Sequence, residues 1–87
     1  MPYKVIITKS ARKVYNRLPL KLRRGLDRCI VALETKPKNN PNVKKLEGCE
    51  ASYRYQIGGW RILYEVDEAI NEVRIYEIGS RGDVYKH

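Results

Sequence analysis

The sequence is short of acid, cysteine and histidine, and each shortage removes a class of function. Ten Asp and Glu stand against 18 Lys and Arg in 87 residues, a formal charge of +8. Cys29 and Cys49 have neither CxxC spacing nor a second pair to complete a zinc site, and both read as reduced thiols. With one histidine, His87, there is no Ser/His/Asp arrangement. No carboxylate pair sits in a credible apolar pocket, no metal-ligand cluster is evident, and no glycine-rich loop leads into Lys-Ser or Lys-Thr. The longest unbroken apolar run is Cys29 to Leu33, far short of a membrane span, and MPYKVIITKS has no signal-peptide core. The expectation is a soluble cytoplasmic protein with no membrane partner, no metal and no cofactor.

What is abundant is positive charge, and it is uneven. Residues 1 to 49 hold 13 Lys and Arg against 3 acids; residues 50 to 87 hold 5 against 7. Such asymmetry predicts an anionic partner met mainly by the first half, and nucleic acid is the commonest. The length predicts one domain over residues 1 to 87, with a single core and modest stability.

Periodicity gives the element order. Tyr3 to Thr8 alternates as a half-buried strand. Ser10 is positioned to cap a short helix in which Ala11, Val14, Tyr15 and Leu18 form one apolar stripe. Pro19 suits the first turn of a second helix, where Leu22, Leu26, Ile30 and Leu33 face a core with Cys29, and Lys21, Arg23, Arg24 and Arg28 form a basic side. Gly25 inside that helix costs ~1 kcal/mol relative to Ala, for which close helix packing is the only visible reason. PKNNPN at 37 to 42 is a loop. After VKKLEGCE come three strand-like runs, SYRYQI, WRILYEV and EVRIYEI, the last ending at Ile78. The fold class is α+β: an N-terminal strand, a two-helix hairpin and an antiparallel β-meander, with both helices on one sheet face.

The Gly58-Gly59 pair between the first two runs predicts a two-residue hairpin that sets Ile57 against Trp60, Gln56 against Arg61, Tyr55 against Ile62 and Arg54 against Leu63. Arg54, Gln56 and Arg61 then share one face, while Tyr53, Tyr55, Ile57, Trp60, Ile62 and Tyr64 share the other. Beyond Ile78, Gly79 is expected to free the chain so that Arg81 and Tyr85 fold across the polar face. Guanidinium groups bind phosphate oxygens in a fork and stay protonated, so they can offset charge on a phosphorane-like transition state. RNA carries its own nucleophile in the 2′-OH, and Tyr85 could handle the proton or orient that hydroxyl.

The segment LEGCEASYRYQIGGWRILYEV and the ending IYEIGSRGDVYKH, in this element order, resemble the RelE family of bacterial toxins within the RelE/ParE superfamily, over essentially the whole chain. The resemblance implies a RelE-like microbial RNase fold and the toxin of a type II toxin–antitoxin system. It implies a metal-independent endoribonuclease that enters the 30S ribosomal A site, contacts rRNA and cuts mRNA to a 2′,3′-cyclic phosphate and a 5′-hydroxyl, inhibiting translation. Carried over residue by residue, the family's catalytic positions fall on Arg54, Arg61, Arg81 and Tyr85.

This chain departs from its best-known relatives in two places. Gln56 stands where they carry a second lysine, and Ser80 stands where many have His or Lys. Gln56 and His87 are therefore accessory candidates. Lys21, Arg23, Arg24, Arg28, Lys44 and Lys45 are expected to contact RNA backbone, which would make affinity fall with salt. The implied partner is a cognate RelB-like antitoxin, acidic and partly helical, held in a toxin–antitoxin hetero-oligomer. Two other readings stay open: a gyrase-poisoning toxin of the ParE branch, and a non-enzymatic RNA-binding module using Tyr53, Tyr55 and Tyr76 as stacking platforms.

Overall fold

The structure, a computed structural model, describes residues 2–46 and 52–80. Arg81, Tyr85, His87 and Cys49 lie outside the described residues. The order is β1 (Lys4–Ile7), α1 (Lys9–Arg17), α2 (Leu20–Thr35), β2 (Val43–Lys45), β3 (Ser52–Ile57), β4 (Trp60–Asp67) and β5 (Glu72–Ser80). The strands form one sheet in the order β1-β5-β4-β3-β2. The meander is antiparallel throughout, and β1 joins the far edge parallel to β5, with Val5 opposite Val73 and Ile7 opposite Ile75.

The first turn of α1 is capped by Thr8, whose Oγ1 accepts from the Ala11 N–H at 3.4 Å. Ser10, expected as the cap, lies inside the helix because the Thr8 N–H donates to the Ile75 carbonyl at 2.9 Å and ends the strand there. Pro19 sits just before α2, one position earlier than expected. The Leu18 N–H donates to the Tyr15 carbonyl at 3.2 Å and Tyr15 Oη donates to Asp27 Oδ1 at 2.7 Å, which braces the two helices.

Both helices cover one face of the sheet. Ala11, Leu18, Leu26, Cys29 and Leu33 meet Tyr55, Ile62, Tyr64, Val66, Val73, Ile75 and Ile78 in a single core. Each fully buried Leu or Ile contributes roughly 1.5–3 kcal/mol over an exposed one. Cys29 is a free thiol within this core, and burial pushes its pKa up to about 12, so it packs as a small apolar group. A methyl group at Gly25 would meet Ile57 Cγ2 at 3.8 Å, an ordinary contact. Close packing therefore does not require this glycine.

Two departures from the expected strands shape the face of the sheet turned away from the helices. Val43–Lys45, which lies between the expected loop and the first expected strand of the meander, is itself a short edge strand and pairs with β3. In addition, Leu63 pairs with Glu77 while Tyr64 pairs with Ile75, so Tyr76 is an extra residue in β5. This bulge resets the alternation of the strand. Val73, Ile75 and Ile78 all reach the core, and Glu77 is delivered to the opposite face.

Candidate functional site

Gly58 takes φ of 53° at the first central position of the β3–β4 turn, the conformation a type II′ hairpin demands and glycine adopts without strain. The tight turn fixes the register: Ile57 opposite Trp60, Gln56 opposite Arg61, Tyr55 opposite Ile62, Arg54 opposite Leu63. These are the pairs expected from the sequence. The ladder continues across neighbouring strands, so the outer face carries two adjacent rows, Lys44–Arg54–Leu63–Glu77 and Gln56–Arg61–Gly79.

Arg61 is the unusual member, with only 7% of its surface exposed although it belongs to the face away from the helices. A guanidinium is rarely so buried unless it is partnered, and Arg54, Arg61 and Tyr76 each make such a contact within the fold. Gly79 is opposite Arg61 and offers no side chain to compete for the space. Gly79 and Ser80 are still part of β5, so the last strand runs past Ile78 and Gly79 does not release the chain there as expected.

The outer face is electrically divided. Arg74 lies 3.9 Å from Glu65 and 3.6 Å from Glu72, and these two carboxylates offset its charge. A hollow of about 280 Å³ at that end is lined largely by Glu65, Asp67, Glu68 and Glu72. At the glycine-turn end a second hollow, of about 240 Å³, is lined among the described residues by Pro41, Asn42, Lys44, Arg54, Gln56 and Gly58, none of them acidic. A polyanion is attracted to the second end and repelled from the first.

The expected nucleic-acid contacts do not form one surface. Lys44 joins Arg54 on the outer face, but Lys45 pairs with Tyr53, whose ring stacks on Tyr64 at 5.9 Å on the helix side. Lys21, Arg24 and Arg28 are exposed on α2, in the layer covering the other face of the sheet. Arg23 is half-buried there, and its Nε has no hydrogen-bond partner among the described residues. Tyr55 is in the core and is no open platform for bases, while Tyr53 is half-buried with one ring face stacked on Tyr64. Tyr76 is half-buried at the bulge. Asn42 was absent from the expected site; two residues before Lys44, in a loop rich in turn residues, it carried no signal beyond that of a loop.

Comparison with known proteins decides the family. Residues 5–85 match the family model of the ParE toxin of type II toxin–antitoxin systems, parDE. The chain is a member of the RelE/ParE toxin superfamily. A chain of the archaeal RelE–RelB complex from Pyrococcus horikoshii OT3 is 30% identical, with a TM-score of 0.84 over 94% of this toxin and 98% of that chain. The isolated E. coli RelE toxin in one crystal form is 26% identical, with a TM-score of 0.73 over 95% of this toxin and 90% of that chain. A chain of the RelBE2 complex from Mycobacterium tuberculosis, at 24% identity, shares the fold, with a TM-score of 0.80 over 93% and 100%. No curated protein matches the sequence.

Proposed function

We infer that this toxin is an endoribonuclease that cuts mRNA in the ribosomal A site. The observation that carries the reading is the pre-formed cationic group at the glycine-turn end of the outer face, centred on the buried Arg61 with Arg54, Gln56 and Lys44 beside it. A buried guanidinium held in place costs little reorganisation when charge develops on a phosphate next to it. The 30% identity to a chain of an archaeal RelE–RelB complex supports the same direction.

In this reading the 2′-OH gives up its proton as its oxygen attacks the adjacent phosphorus in line, the bond from phosphorus to the 5′-oxygen breaks, and the leaving oxygen takes up a proton in exchange. Arg61 and Arg81 offset the phosphate charge, Arg54 holds the backbone, and Tyr85 orients or activates the 2′-OH. The arginines, with pKa above ~12, are suited to charge stabilisation and not to proton transfer. A cognate acidic antitoxin of RelB type would shield the same charge, consistent with the formal +8 of the toxin.

The match to the ParE toxin model favours a second reading, poisoning of DNA gyrase. One experiment separates the two. The toxin is added to a translating cell-free reaction, to naked mRNA, and to gyrase with supercoiled DNA, and RNA ends are mapped by primer extension. Cuts confined to translated message support the first reading. Intact message together with trapped gyrase–DNA complexes overturns it.

A further inference from the structure

The hollow beside the glycine turn contains more than phosphate-binding groups. The Gln56 N–H donates to the Asn42 carbonyl at 3.0 Å, which extends the β2–β3 ladder one residue beyond the Val43–Tyr55 pair. Asn42 therefore stands opposite Gln56, and strand alternation puts both on the outer face with Lys44 and Arg54. The Asn42 N–H is in turn held by Asn40 Oδ1 at 2.9 Å, and Pro41 restricts the chain just before it. Local backbone bonds thus fix where Asn42 sits, and its carboxamide is not needed for that purpose.

Two carboxamides and two cations line one small hollow. Its volume of about 240 Å³ is below the ~300–1,000 Å³ of pockets that enclose drug-sized ligands. That suits one flat ring system and not a run of nucleotides. A methyl group at Gly58 would meet nothing within 4 Å, so the wall is low on the turn side. Each carboxamide offers a donor and an acceptor side by side, matching the edge of a nucleobase, and unpaired RNA exposes that edge. Lys44 and Arg54 supply charge for the phosphate attached to the same nucleotide.

We propose that this hollow is a nucleobase subsite for single-stranded RNA, in which Asn42 and Gln56 read the edge of one base while Lys44 and Arg54 hold its phosphate. The substrate class rests on the RNA-cutting reading; the site itself is built from the register and the cavity. Asn42 and Gln56 then set which message positions are favoured, and Gln56 serves recognition where the resemblance suggested an accessory to the chemistry.

The test uses the purified full chain, isotopically labelled, titrated with 2′-O-methyl RNA trinucleotides that differ only in the central base (A, C, G or U). The side-chain amide signals of Asn42 and Gln56 should shift. Affinity for the best and worst base should differ by about 10-fold, and Asn42→Ala should reduce the difference to about 2-fold. Asn42→Ser serves the same purpose if the alanine variant fails to fold. Equal binding of all four bases, absence of binding, or a variant that keeps the wild-type ratio overturns the proposal. Mapping cuts on translated message separates it from the reading it rests on. Cleavage by Asn42→Ala with an unchanged base profile overturns the subsite alone; base-selective trinucleotide binding by a toxin that never cuts overturns the ribonuclease reading alone.

Discussion

The Tyr64 hydroxyl donates to the Pro37 carbonyl oxygen at 2.6 Å, from a side chain with no exposed surface. The bond joins the central strand β4 to the loop that leads into β2, and so helps hold the strand that carries Lys44. Tyr64→Phe keeps the ring but leaves a buried carbonyl without its donor. It should cost about 1–3 kcal/mol in urea unfolding, with the region around Pro41 and Asn42 showing the largest rise in hydrogen exchange.

Gly25→Ala should stabilise the fold. The added methyl contacts Ile57 Cγ2 at 3.8 Å without displacement, and an alanine in a helix interior is favoured over glycine by up to ~1 kcal/mol. A rise in melting temperature is expected; a fall would mean that the helix cannot accept even this small group.

Glu68 links three segments. Lys38 Nζ lies 2.9 Å from its Oε1, and Tyr3 Oη donates to the same oxygen at 2.9 Å. The Lys38 ammonium and then the Tyr3 hydroxyl hold its carboxyl below the ordinary value of 4.5. A pKa depressed by folding means that the stabilisation is present above the unfolded value and is lost as pH falls through the folded one. Between about pH 5 and pH 3 the melting temperature of the wild type should therefore fall more steeply than that of Glu68→Gln. Parallel curves would show that this exposed network contributes nothing measurable, as is common for surface pairs.

Arg61→Lys keeps the charge and loses the planar fork. Single-turnover cleavage of translated message should slow by at least ~10-fold, and by at least ~100-fold for Arg61→Ala, Arg81→Ala and Tyr85→Phe, with antitoxin binding nearly intact for the last two. Unchanged rates would place the chemistry elsewhere.

Arg24 lies in the helix layer, across the sheet from Arg61. Arg24→Ala should weaken ribosome binding and make it less salt-dependent, while the cleavage rate at saturating ribosome stays the same. A loss confined to the cleavage rate would join two surfaces that the fold separates.

The parts of this molecule that were legible in the sequence depend on short-range periodicity. The Gly58-Gly59 turn specified four residue pairs because a two-residue loop permits one register, and the two apolar stripes identified both helices. Val43–Lys45 was not legible as a strand, since three residues with two lysines have no period to detect; its existence depends on β3. The Tyr76 bulge and the parallel β1–β5 pairing are also long-range outcomes. The site was legible where it lies on the hairpin and illegible at Asn42, which reaches it through β2. The charge count could not reveal that α2 and Lys44 occupy opposite layers.

The placement of β1 beside β5 has a consequence for synthesis. Lys4 pairs with Glu72, so the ribosome delivers the first strand long before its partner exists. Contacts so distant along the chain form late, after the local hairpin and helices. A nascent chain can hold the turn that aligns Gln56 with Arg61, yet its sheet stays open along one side until Ser80 has been made. The finished outer face thus belongs only to a chain that has been translated past β5.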